Sequence, residues 1–369
     1  MNEQKRLLSL DALRGFDMLF IMGLSPLIVS ICALFPGGGE CWLAETMGHA
    51  RWDGFTHHDT IFPLFLFIAG VSFPFSLARQ LESGLGKGRI YARLFRRAGA
   101  LILLGIVYNG LFDLDFANLR IASVLGRIGT AWLLAAILYV NFGTRTRAAI
   151  AAAILIGYWL LLRFVPAPDV QGAAGPFSFE GNLAGYVDRM LLPGKIYSGT
   201  FDPEGLLSTL PAIVTAMLGM FTGELVRRPE DKMPGTRKTA VMLAAAAVLL
   251  IAGMVWNEFF PINKKLWSSS FVCVAGAYSL FMFALFYYVI DVKGLRNWTL
   301  FFRVVGLNSI TIYLAQEIID FKGIGNFFLG GAERLCGQPW DAVIGSAGYV
   351  AVCWLFLYFL YRQKIFLKI

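Results

Sequence analysis

Residues 269–290 read SSFVCVAGAYSLFMFALFYYVI, an unbroken run with no charged residue and no proline. A helix rises 1.5 Å per residue, so crossing the apolar core of a bilayer takes roughly 20 mainly apolar residues. This stretch meets that length by itself. Working outward, comparable apolar stretches lie at 13–35, 60–80, 98–112, 119–141, 148–164, 206–226, 239–257, 300–317 and 342–361, separated by polar or Pro/Gly-rich breaks. They predict an all-α fold, a polytopic membrane helix bundle of about ten transmembrane helices forming a single domain over 1–369.

Composition agrees. Of 369 residues 57% are hydrophobic and 15% charged, with mean hydropathy +0.64, whereas soluble domains carry about a quarter charged residues. A soluble enzyme, a disordered chain and a disulfide-stapled secreted domain are excluded. A transmembrane β-barrel is excluded as well, because the apolar runs are continuous and not alternating. The net charge of +8 is not a nucleic-acid footprint; in a polytopic chain surplus Lys and Arg mark cytoplasmic loops. With the N-terminus inside, that side collects 21 of the 32 basic residues, including Lys5, Arg6 and Lys368, against eight outside. Both termini are therefore expected in the cytoplasm, with the helices surrounded by membrane lipid. Cys41 and Cys336 then fall outside, where an oxidising compartment could join them.

All three histidines, His49, His57 and His58, fall in one window just ahead of the second span. If the window is helical, His49, Trp52, Asp53 and Thr56 share a face. Asp53 would then hold the His49 imidazole in one tautomer, letting it take a proton from an attacking amine or hydroxyl, or carry an acyl group. A solvated polar loop is the plainer reading. A metal site is not expected: His57, His58 and Asp59 are adjacent and point apart, and no other histidine completes a shell. Arg120 and Arg127, seven apart in the fourth span, would share a face able to meet a phosphate or pair with Asp11, Asp17 or Asp113. Arg89, Arg93, Arg96 and Arg97 form the densest inner basic run, explained by topology and also suited to nucleotide phosphates. Asp202 and Glu204, before the sixth span, read as an N-cap and a dipole partner, or as ligands for a sugar or ammonium group. Asn263 and Lys264 lie in a short outer loop, and Asn308 falls inside the ninth span.

These segments together resemble a known family. The stretches Ser9–Gly15, His49–Asp59 with Phe62–Pro63, Arg120–Ile121 with Val124–Gly129, Gly199–Gly205, Pro261–Ser268, Asp291–Leu295 and Asn308–Ile310 are similar, in order, to bacterial homologues of the lysosomal heparan-α-glucosaminide N-acetyltransferase, within the YeiB-like transmembrane acyltransferases. The resemblance implies that His49 is the active-site residue. It further implies that Asp59, Asp202, Glu204, Asn263, Lys264 and Asn308 occupy polar motif positions, and that Ser25 stands nearest to the family's active-site asparagine late in the first span. It implies acetyl-CoA as cytosolic acyl donor, an amino sugar or glycan end as acceptor on the far side, and a homodimer.

The expectation is a transmembrane N- or O-acetyltransferase needing no metal. Coenzyme A is too large and too charged to cross the bilayer, so only the acetyl group passes. Arg120, Arg127 and the inner arginines would hold the nucleotide, His49 would activate the acceptor, and Asp53 or Asp59 would orient the ring. Trp52, Thr56, Asp202, Glu204 and Lys264 would contact the acceptor, and Asn263 or Asn308 would stabilise the oxyanion. The alternative is a sugar transporter using the same polar interior; the internal repeats common among transporters are not visible in the sequence.

Overall fold

A computed structural model describes residues 7–170 and 175–367; Lys5, Arg6 and Lys368, counted above, lie outside them. The described residues are helical, with no strand beyond an isolated bridge between Arg120 and Gly194. In chain order the helices are α1 Leu8–Cys32, α2 His57–Glu82, α3 Lys87–Tyr108, α4 Val124–Asn141, α5 Thr144–Phe164, α6 Leu183–Leu191, α7 Thr209–Arg227 and α8 Gly235–Asn257. They continue with α9 Ser269–Val292, α10 Thr299–Leu307, α11 Ser309–Ile318, α12 Phe321–Cys336 and α13 Trp340–Arg362. Among the described residues, α1, α2, α4, α5, α7, α8, α9 and α13 are long and apolar enough to cross a membrane, eight helices in all. On α8, Val248, Ile251 and Val255 are all more than 60% exposed. At spacings of three and four they form one apolar stripe turned to lipid.

Two expected spans differ from their sequence outlines. The stretch 98–112 is the apolar half of α3, which starts at Lys87. Its first half carries the basic run, so hydropathy alone places the start too late. The stretch 300–317 is not one helix: it breaks at Asn308, where φ is −124° and ψ 29°. The Asn308 amide donates to the Ile365 carbonyl at 3.1 Å and its oxygen accepts from Thr311, an instance of a short polar side chain competing with helix hydrogen bonds. What reads as an outer loop over 318–341 contains α12, N-capped by Asp320, whose Oδ1 accepts from Gly323 N at 2.8 Å.

By internal contacts the chain divides into two compact units. One comprises Met1–Ala50, Thr56–Ile61 and Met282–Lys368; the other comprises Arg51–Phe55 and Phe62–Phe281. In the first unit α1 packs on α10 at Gly15 and Gly306, and a Cβ on either glycine would collide with the other helix's backbone. Without a hydrophobic drive between helices in lipid, such small-residue contacts let backbones meet closely. Further along α1, a π turn at Phe20–Leu24 places Gly23 at φ 125°, a conformation that glycine tolerates and L side chains resist. Cys41 and Cys336, which the sequence suggests could pair, are both free thiols.

In the second unit α3 and α4 run antiparallel. Gly129 sits against Ala98 and Leu101 near one end, and Gly105 against Ser123 near the other. The core joins Phe73, Trp132, Ala135, Ala212, Met217 and Trp267, each no more than 3% exposed.

Candidate active site

The first unit holds the histidines. The chain is irregular from Gly48 to Thr56, then enters a 3-10 turn at His57–Thr60 that opens α2. The window is therefore not helical, and His49, Trp52, Asp53 and Thr56 do not share a helical face. Thr56 caps the turn in a reciprocal arrangement with Asp59, pairing donors that a helix start leaves unsatisfied. The buried Asp59 carboxylate accepts from Ala50 N at 3.2 Å, Thr56 N at 3.3 Å and Thr56 Oγ1 at 2.9 Å through Oδ2, and meets His49 Nδ1 at 2.8 Å through Oδ1. Its side chain is 2% exposed, whereas that of His49 is 50% exposed. A carboxylate on Nδ1 selects the tautomer with the proton there, leaving the lone pair on Nε2. Asp59 is thus the residue that orients this ring.

His58 lies edge-on to the His49 ring, with centroids 4.5 Å apart, and its Nδ1 is 3.4 Å from Ser25 Oγ. His57 packs on Phe20 at 4.3 Å. Phe20 and Ser25 flank the turns that the π geometry brings to one side of α1. The sequence offers His58 only as a possible metal ligand with His57 and Asp59. The signal for it is only its place in the same window, because its pairing with Ser25 depends on the π turn. Asn308 is elsewhere in this unit: α10 meets α1 at Gly306, against Asp11 and Gly15. Ser25 lies ten residues further on, about 15 Å of helix. Asn308 therefore stands away from the histidines in this unit, beside the C-terminal segment.

The second unit carries a different cluster. Trp52 donates from Nε1 to the Phe177 carbonyl at 3.0 Å and packs on Phe179 and Phe201. Asp53 accepts from Asn263 Nδ2 at 3.1 Å, so this carboxylate is engaged by the amide and not by the imidazole assigned to it from helical spacing. Asn263 is fully buried and also accepts from Leu266 N at 2.8 Å. Lys264 is half-buried, and its neighbour Lys265 donates to the Arg51 carbonyl.

Arg120 precedes α4 and does not lie within it. Its Nε donates to Asp202 Oδ2 at 2.8 Å, and Nη2 donates to Asp202 Oδ1 at 2.5 Å and to Glu204. Burial works against its charge, but the two carboxylates outweigh burial and raise its affinity for the proton. Burial likewise pushes the Asp202 carboxyl up, and the guanidinium overrides that and holds it below the usual range. Arg127 is buried, donating to the Gly205 carbonyl at 3.2 Å and to Ser208. Its partners, like those of Arg120, are not Asp11, Asp17 or Asp113. Asp202 is not the N-cap read from its position, since α7 begins only at Thr209.

Asp188 braces the same loop, accepting from Asp202 N at 3.1 Å and Leu206 N at 2.9 Å. Burial raises its carboxyl to about 6 against the opposing pull of those amides.

Arg89, Arg93 and Arg96 are exposed at the start of α3, and Arg97 stacks on Trp132 at 4.3 Å. From Arg89 to Gly105, which meets Ser123 near Arg120, is about 24 Å of helix. Arg120 thus lies well away from the exposed Arg89 that opens α3, whereas Arg97, through Trp132, lies beside the part of α4 that carries Arg127. Among the described residues no three His, Cys, Asp or Glu side chains are grouped as metal ligands would be.

Over 416 aligned residues the chain is 29% identical to human heparan-alpha-glucosaminide N-acetyltransferase, covering 99% of this chain and 60% of that protein. Over 384 aligned residues it is 29% identical to the mouse protein of the same name, covering 90% and 57%. The chain thus spans about three-fifths of the length of these relatives. Residues 6–256 match the family described as heparan-alpha-glucosaminide N-acetyltransferase, catalytic, and the chain, a membrane protein by its apolar helices, belongs to that family.

Proposed function

We propose that the protein is a transmembrane acetyltransferase that moves an acetyl group from cytosolic acetyl-CoA to an amino sugar on the outer side of a bacterial inner membrane. The observation that carries this reading is the His49–Asp59 pair: a half-exposed imidazole, its tautomer fixed by a buried and fully ligated carboxylate. In the reaction, the acceptor nitrogen attacks the thioester carbonyl carbon while His49 Nε2 takes the proton it sheds. The tetrahedral oxyanion collapses, the C–S bond breaks, and the imidazolium returns the proton to the departing thiolate of coenzyme A. Ser25 and His58 are the neighbouring donors for the oxyanion, in the role considered earlier for Asn263 and Asn308. The exposed arginines of α3 meet the nucleotide phosphates, as Arg and Lys do in such sites. Arg120 instead shapes the loop bearing Asp202 and Glu204 in the second unit.

The test uses purified protein in detergent with acetyl-CoA and glucosamine. Free thiol of coenzyme A and acetylated sugar are expected in equal amounts, and His49→Ala should lose at least about 10²-fold in rate. Sugar uptake into proteoliposomes without thiol release would instead make the protein a transporter.

A further inference from the structure

The acyl-transfer reading leaves unused a cavity of about 560 Å³ in the first unit, bounded by the π turn of α1, the end of α11, and α12 with α13. Its walls include Gln316, Lys322, Asn326, Glu333, Asp341 and Tyr349. Polar and ionisable side chains are costly among membrane helices and mark pathways or sites when they gather, and the volume is that of an ordinary small-molecule pocket. Glu333 Oε1 is buried with no hydrogen-bond partner among the described residues, a condition that invites a donor from a ligand. Gly345 faces it, where a Cβ would come within 3.3 Å of that oxygen. The Tyr349 ring is fixed by Gln316 Nε2 donating to its hydroxyl at 2.7 Å. The ring closes on α1 only because Gly23 lacks a Cβ, which would fall 2.8 Å from it.

The lining decides the ligand's chemistry. Two carboxylates against one ammonium disfavour a phosphate, and the density of amides and carboxylates disfavours an acyl chain. A polyol bearing an amine fits: its hydroxyls pair with Gln316 and Asn326, its ammonium with Glu333 in a charge-assisted bond, and its apolar ring face with Tyr349. The same turn of α1 serves both places. Phe20 and Ser25 touch His57 and His58, while Ile21, Gly23 and Pro26 line the cavity. Successive residues of a helix point about 100° apart, so the cavity and the histidines lie against neighbouring faces of the same turn of α1.

We propose that this cavity is a subsite for the second unit of an extended amino-sugar acceptor, an assignment that rests on the acetyltransferase reading above. The experiment measures binding to the full chain in detergent of the β-1,4-linked disaccharide of glucosamine and of its N,N′-diacetyl form. The free-amine form should bind at least tenfold more tightly. Glu333→Gln should remove that preference, and Asn326→Trp, which fills the cavity, should abolish binding of both sugars. The unfolding temperature of each variant, and Asp341→Asn as a further carboxylate change, separate loss of the site from loss of the fold. No binding to the unaltered protein, or a preference unmoved in all three folded variants, overturns the assignment. Thiol release from acetyl-CoA with glucosamine in the same preparation tests the enzymatic reading separately. Binding with no thiol release removes that reading and leaves an amino-sugar site. Thiol release with binding insensitive to the variants removes only the subsite.

Discussion

Asp59 keeps four donors in register around one carboxylate, so changing it to Asn should do more than weaken one bond. An amide presents a donor to His49 Nδ1 and so selects the wrong tautomer. In Asp59→Asn we expect acetyl transfer to fall by about 10³-fold, with thermal stability changed far less than activity; equal loss in both would make Asp59 only a structural cap. A second residue-scale prediction concerns pH. The Asp188 carboxyl is raised to about 6, above its value in the unfolded chain. The folded state therefore binds its proton more tightly, and the stability this contributes is present at low pH and lost as pH rises from about 4 through 6. The total is up to about 3 kcal/mol. Asp188→Asn, neutral throughout, should be more stable relative to the unaltered protein at pH 7 than at pH 4 by unfolding temperature; a difference that does not vary with pH would refute this. The sequence offers both Asp53 and Asp59 as residues to orient His49, without deciding between them. Helical spacing pointed to Asp53, and the irregular backbone from Gly48 to Thr56 decided for Asp59. Arg120 and Asp202, 82 residues apart, left no local signal at all.

Elements were legible where hydropathy dominates and illegible where polar residues interrupt it. α9 was visible as an unbroken apolar run, whereas α3 hides its first half behind Lys87 to Arg97. The break at Asn308 combines its local bond with Thr311 and a hydrogen bond to Ile365, 57 residues away, and hydropathy reveals neither. What holds the broken helix in place is the crossing of α10 with α1. A Cβ on Gly306 would collide with the Asp11 carbonyl and crowd Gly15 N, neither of which can yield without moving a helix axis. Gly306→Val should therefore separate the helices and lower the unfolding temperature in detergent, at a cost of several kcal/mol. Gly330→Ala, on α12 with open space around its Cα, should leave that temperature within error. Equal behaviour of the two variants would show that the crossing carries no stability.

At the scale of the molecule, the proposed orientation rests on where each unit gathers its charge. In the second unit Asn141 donates to Tyr91 and Arg147 pairs with Glu224, which brings the end of α4, the starts of α3 and α5 and the end of α7 to one face. That face carries Arg89, Arg93, Arg96, Arg147 and Arg227. In the first unit Ser9 N donates to Asp291 and Asn308 donates to Ile365, so Lys293, Arg296, Arg362 and Lys364 collect at the end away from Cys336. Charge counting along the sequence already pointed to cytoplasmic termini, because a bias of Lys and Arg needs no tertiary contact to be seen; the division into two units did need one. Cysteine labelling on intact bacteria tests the orientation. Cys32, Cys273 and Cys353 are buried and Cys336 is exposed, so an impermeant maleimide should modify Cys336 from outside, and Cys336→Ser should remove most of that signal. With Cys41 and Cys336 both changed to Ser, a cysteine in place of the exposed Ser83, between α2 and the basic start of α3, should react only after the membrane is opened. The reverse pattern would put the histidines in the cytoplasm, on the same side as acetyl-CoA, and would remove the reason for an acetyl group to cross the bilayer.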